Sequence, residues 1–223
     1  MRRTALLTAL LALVVSAAPA AARVAVGADS DEVVPPRSGK VRPVAANAPG
    51  RPGTLVVVPG RSRVSGPGPL HRFAVEVEGG LPVDPSAFAA RVVDVLSDRR
   101  SWGAGGVAAF QRVASEPVDF RVTLASPALT DRLCSPLRTN GIFSCAQGGR
   151  AVLNSTRWLR GASAYARLGR YRTYMVNHEV GHLFGHAHAS CPAAGTAAPV
   201  MMQQTKGVAP CRANPWPLSW ERG

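Results

Sequence analysis

"HEVGHLFGHAH", His178–His188, gathers four of the chain's five histidines into eleven residues. The run leading into it, from Tyr171, contains no proline, and Val176, Val180, Leu183 and Phe184 fall on one helical stripe suited to packing on a sheet. His178 and His182 are four apart, one turn above another on the opposite face, so both imidazoles can reach a single metal ion. Glu179 is offset around the helix, close enough to touch a water on that ion without binding the ion itself. Gly185 is where such a helix ends, because glycine takes the left-handed conformation without steric cost. The reversal that follows brings back His188 as a third nitrogen ligand. Three imidazoles leave a fourth tetrahedral position for water, the open coordination of one catalytic Zn2+. An ion so held lowers the pKa of its water toward about 7.

The plainer alternative, a charged surface helix with incidental histidines, is disfavoured by the five fixed positions of HExxHxxGxxH. His186 falls outside that spacing and reads as a solvated loop residue or a substitute ligand. His71 is isolated and receives no role.

The N-terminus carries Arg2 and Arg3, an apolar stretch from Ala5 to Ala18 and then "APAAA", which together match a secretory signal peptide over residues 1–22. An uncleaved anchor is the alternative. Residues 23–53 mix proline, glycine and charge without periodicity and read as a disordered tether. Residues 54–223 are the right size for one domain with one core. The 26 Lys plus Arg against 13 Asp plus Glu give +13, or +11 once Arg2 and Arg3 leave with the signal. These bases are spread along the chain with no aromatic interleaving, which argues against nucleic acid as a partner and leaves contact with an anionic envelope open.

All four cysteines lie in the exported part, where an even count implies disulfides. The sequence-local pairing, Cys134–Cys145 with Cys191–Cys211, is the expected one, each closed loop contributing roughly 3 kcal/mol.

Five strands are expected: "LVVV" (Leu55 to Val58), "FAVEVE" (Phe73 to Glu78, with Ala74, Glu76 and Glu78 on a wet face), "VAAFQRV", "FRVTLA" and "AVLN" from Ala151. Asp84 followed by Pro85 opens a helix to Leu96 on which Phe88, Val92 and Leu96 recur. "GAGGVA" (Gly103 to Ala108) is a glycine-rich turn, since a dinucleotide site needs a strand before it and a helix after. The fold class is therefore α+β, a mixed twisted sheet packed on helices.

The extended histidine motif, with "PVMMQQ" downstream, resembles the metzincin clan of zinc metallopeptidases. "YRTYMVNHEVGHLFGHAHASCP", "APVMMQQTKG" and "NPWP" are similar to a family of secreted actinobacterial proteins with a metzincin-like domain and no assigned substrate. The resemblance implies a zincin-like domain with its active-site helix below an edge strand and a small C-terminal subdomain. It implies His178, His182 and His188 as zinc ligands, Glu179 as general base, Gly185 as the turn and Met201, or the adjacent Met202, as the Met-turn residue. Some clan members carry a tyrosine two residues after that methionine. Gln203 stands there instead, leaving Gln203 or Tyr174 to substitute. The edge strand, and with it the substrate's docking edge, is expected in "AVLNSTRW".

The expected function is that of a secreted, monomeric zinc endopeptidase acting on protein or peptide substrates, with Glu179 taking the proton of a metal-activated water. Two alternatives stand beside it: a zinc hydrolase of a non-protein amide in the cell envelope, and an inactive, zinc-stabilised envelope-binding module.

Overall fold

A computed structural model describes residues 48–222. The expected signal peptide and all but the end of the expected tether lie outside the described residues. The packed unit takes in residues that composition alone assigns to the tether: Ala48 is buried, and its backbone bonds Leu81 and Gly80.

The domain is α+β. Six strands form one mixed sheet: β1 (Leu55–Val57), β2 (Leu70–Glu78), β3 (Ala109–Arg112), β4 (Phe120–Ala125), β5 (Cys145–Gln147) and β6 (Arg150–Asn154). The order is β1-β2-β4-β6-β5, with β3 also pairing β2. β1 pairs Glu76–Glu78 of β2 while β3 pairs Leu70–Phe73, so the two share one edge of β2 and β4 takes the other. β2, β3, β4 and β6 run parallel, whereas β1 and β5 are antiparallel to their neighbours.

This sheet differs from the expected one in a way that bears on the site. The "AVLN" segment is interior, paired on both sides, and the edge is β5, which the sequence pattern does not reveal. "FAVEVE" has no wet face either, since Ala74, Glu76 and Glu78 are all buried. The Glu76 carboxylate receives the Thr123 hydroxyl at 2.9 Å and pairs with Arg121 and Arg150, and Glu78 accepts the N–H groups of Gly53 and Ser126. Both charges are thus compensated by partners distant in sequence.

Helices cover both faces. α1 (Pro85–Ser97) starts as expected, with Asp84 accepting from the N–H groups of Ser86 and Ala87 and Pro85 in the first turn. α4 (Leu168–Leu183) packs with α1 on one face, over the main core that holds Phe73, Val75, Phe88, Leu124, Leu153, Val176 and Val180. α2 (Pro127–Cys134) lies on the other face with Leu129, Cys134, Cys145 and Val152. The short α3 (Ser155–Arg160) is capped by Asn154, a fully buried side chain that also donates to Gly141 O. "GAGGVA" forms a 3-10 turn over Ala104–Gly106 with left-handed glycines. Cys134 is joined to Cys145 and Cys191 to Cys211.

Candidate metal centre

α4 delivers His178 and His182 and then stops. Phe184 caps it, Gly185 follows at φ +85°, and two closing bonds, Gly185 N–H to His182 O at 3.0 Å and His186 N–H to Gly181 O at 3.1 Å, form a Schellman motif. A Cβ at Gly185 would meet nothing within 4 Å, so the backbone angle alone requires glycine. The reversed chain is then held by Ala189 N–H on Met201 O at 3.1 Å.

The result is a convergence of three imidazoles. Nitrogens of His178, His182 and His188 all lie within 4.8 Å of one another, and the Nε2 atoms of His182 and His188 are 3.1 Å apart. His178 Nδ1 lies 2.8 Å from Val200 O, and His182 Nδ1 lies 2.7 Å from His186 O. A carbonyl only accepts, so each Nδ1 carries the hydrogen and each Nε2 presents a lone pair to the common centre. The His182 Nε2 lone pair thus faces His188 Nε2 at 3.1 Å, a separation that either a hydrogen on His188 or a cation between the two rings bridges. Nitrogens around a tetrahedral zinc with bonds of about 2.0–2.1 Å stand about 3.4 Å apart, so small side-chain adjustments suffice for this set to fit the ion.

Burial sets the electrostatics. The His178 imidazole, 5% exposed, is pushed down to about 3 chiefly by desolvation, with the neighbouring histidines adding to it. His182 and His188 are lowered for the same first reason. All three are therefore neutral, the ligating form, at pH 7. Glu179, also 5% exposed, has its carboxyl pushed up to about 8 by desolvation. It lines a cleft of about 600 Å³ together with the three histidines and the edge-strand residues Cys145 and Ala146.

Below the helix, Met201 rather than Met202 is the deeply packed methionine, 2% exposed. A Cβ on Gly181 would stand 2.5 Å from Met201 Sδ and 2.5 Å from Trp102 Cζ2, so glycine at this point of the helix admits both side chains. Glu221, from a 3-10 turn over Ser219–Glu221, accepts the N–H groups of Val200 and Met201 at 2.9 Å each and of Leu218 at 2.8 Å. The same Val200 carries the carbonyl that orients His178. Tyr174 is not free to act on a substrate: its hydroxyl donates to Met202 O at 3.0 Å and accepts from Gln204 N–H at 2.9 Å. Gln203 does face the cleft, with its Oε1 accepting from Lys206.

The model of one protein family, described as a protein of unknown function (DUF3152), matches residues 45–218. The chain belongs to that family. No curated protein and no solved structure matches it. The stretch shared with DUF3152 contains all three histidines, Glu179, Met201 and both disulfides, and it ends short of Glu221.

Within this DUF3152 domain the positions singled out by sequence come together, with one exception. His186 is not a solvated loop residue: its ring stacks on Trp102 at 4.5 Å, away from the triad, and its carbonyl orients His182. Three contributors escaped sequence reasoning. Gly181 and Glu221 act through contacts with distant segments. Asn177, fully buried, receives the Ser101 hydroxyl on its side chain and the Trp102 indole N–H on its carbonyl, and donates to Pro215 O. The Tyr165, Tyr171 and Tyr174 cluster that pins residues 202–205 leaves only a partial trace, Tyr171 and Tyr174 three apart on α4, and nothing local says what they bind.

Proposed function

We propose that the chain is a secreted zinc-dependent metallopeptidase of metzincin-like build that hydrolyses peptide bonds. One observation carries the reading: three neutral imidazoles converge beside a buried carboxyl, Glu179, on the floor of an open cleft. The neutral donor set, with both helical Nε2 atoms turned inward, suits zinc. When bound, zinc supplies Lewis-acid chemistry, acidifying a water and polarising a carbonyl.

The protein's own groups supply the rest. Val200 O and His186 O hold the helical imidazoles in one tautomer and orientation. Glu179 accepts the proton of the attacking water and passes it to the leaving amine. Burial raises its pKa in the metal-free chain, and a dication held by the three histidines would favour the ionised form that takes up the proton. The free edge of β5 beside the cleft can take an extended peptide as an added strand. Met201 under α4 serves as the Met-turn residue, and the segment after Gly185 as the small C-terminal subdomain. Two disulfides fit an oxidising, extracellular or envelope compartment.

The test is digestion of a peptide library by purified protein, with chelator and with zinc restored. Cleavage is expected to vanish with chelator and return with zinc, and Glu179→Gln to lose at least about 100-fold in rate. Turnover unchanged in Glu179→Gln, or indifferent to chelator, overturns the proposal. Hydrolysis of a peptidoglycan amide but of no peptide would move the reading to a non-protein amide.

A further inference from the structure

Two disulfide-closed loops border the cleft, and each presents one cation. The Cys134–Cys145 loop runs from the end of α2 to the edge strand and brings Arg138 to the cleft wall. The Cys191–Cys211 loop, which includes Met201, brings Lys206. The loops meet where Lys206 Nζ lies 5.1 Å from the Phe143 ring centroid.

Neither cation is neutralised. Lys206 Nζ donates to Gln203 Oε1 at 3.0 Å, a neutral acceptor. Arg138 has no hydrogen-bond or ionic partner among the described residues, and both side chains are exposed. The one acidic residue among those lining the cleft is Glu179, which is buried at its floor.

Both cations also ride on braced backbone. Asp131 receives the Thr139 hydroxyl and, at 2.8 Å, the Gly141 N–H. Asn154 and Arg157 donate to the carbonyls of Gly141 and Ile142. On the other wall Gln204 is held by Tyr165, by Pro199 O and by Asn214 O, and Thr205 by Tyr171. A cation whose loop is already ordered loses less entropy on meeting an anion than one on a floppy loop.

We infer that Arg138 and Lys206 form a carboxylate-reading pair, and that the preferred substrates are peptides with aspartate or glutamate side chains flanking the scissile bond. That these peptides are cleaved rests on the peptidase reading; the charge preference of the cleft does not. Each cation is exposed and screened, so its contribution is a factor of roughly five to ten, stronger at low salt.

The experiment compares matched fluorogenic peptides bearing Glu or its uncharged isostere Gln at positions around the cleaved bond. All are acetylated and amidated, so that only side chains carry charge, and zinc-loaded protein is used. One further Gln peptide keeps a free C-terminal carboxylate. The expected result is a Glu-to-Gln ratio in kcat/KM of about ten or more at low salt. That ratio should shrink several-fold at 0.5 M salt and fall below one in Arg138→Glu/Lys206→Glu. A ratio within twofold of one in the wild type, or one unmoved by the double reversal, overturns the inference. So does a gain seen only with the free C-terminal carboxylate.

The same peptides, fluorescently labelled, are measured for equilibrium binding to Glu179→Gln protein, which reports charge preference without turnover. Preference in binding with no cleavage by wild type sinks the peptidase reading and upholds the pair. Cleavage without preference sinks the pair and leaves the peptidase reading standing.

Discussion

The Glu221 carboxylate accepts the Met201 N–H at 2.9 Å, joining the C-terminal 3-10 turn to the segment beneath the histidines. The same carboxylate takes the N–H groups of Val200 and Leu218, and it is 4% exposed. Glu221→Ala would leave three N–H donors without their acceptor, each unsatisfied donor costing roughly 1–3 kcal/mol. A loss of about 3 kcal/mol or more in unfolding free energy is expected from urea titration, with a smaller loss for Glu221→Gln. A change below about 1 kcal/mol in the alanine variant would show that the carboxylate does not hold this turn.

Two glycines in the motif should respond to alanine for different reasons. At Gly181 the new Cβ meets Met201 Sδ and Trp102 Cζ2, both at 2.5 Å, so overpacking of about 1–3 kcal/mol outweighs alanine's helix propensity. At Gly185 there is space, but φ of +85° strains any Cβ by about 1–2 kcal/mol. Gly169, exposed in the first turn of α4 with nothing within 4 Å, is the control, and Gly169→Ala should be neutral or slightly stabilising. Thermal unfolding of the three variants checks the order. Equal effects at Gly169 and Gly181 would contradict the packing beneath the helix.

The histidine motif and α1 were legible because their information is local: ligand spacing, an Asp-Pro start and a glycine stop all act within a few residues. The strands β2 and β4 were legible from alternation, but the burial of Glu76 and Glu78 was not, since their partners Arg121, Arg150, Gly53 and Ser126 lie far away in sequence. β5 was hidden because Cys-Ala-Gln has no pattern of its own and pairs only through the hairpin to β6. α2 and α3 were not foreseen: at eight and six residues they are too short to build a periodic stripe, and Ser126 and Asn154 are seen as caps only in the structure. In the site, the converging histidines were readable and the groups that orient them were not.

Acidity offers a third prediction. In metal-free protein, burial pushes the Glu179 carboxyl from its ordinary 4.5 up to about 8. The folded state then binds more protons than the unfolded between those values. Stability from this group is full below about pH 4.5 and falls as pH rises through 8, by up to about 1.4 kcal/mol per pH unit. His178, depressed from 6.5 to about 3, acts in the opposite sense, its stability being lost as pH falls below 6.5. Glu179→Gln shares the histidine effect, so the difference between the two proteins isolates the carboxyl. Chelator-treated urea titrations should show the variant gaining on wild type from about pH 5 to about pH 8. A difference that stays constant over that range would mean that the carboxyl is not desolvated.

The claim on which the rest depends is that His178, His182 and His188 grip one divalent cation together. Zinc titration of metal-stripped protein against a chromophoric chelator tests it most directly, run in parallel on wild type and His188→Ala. One ion per chain is expected in the wild type, with affinity lost by at least about 100-fold in the variant, since a group that binds the ion directly counts for no less than the hydrogen-bond partners that orient such groups, whose loss costs about 10–100-fold. No stoichiometric zinc in the wild type, or the same affinity without His188, would contradict it.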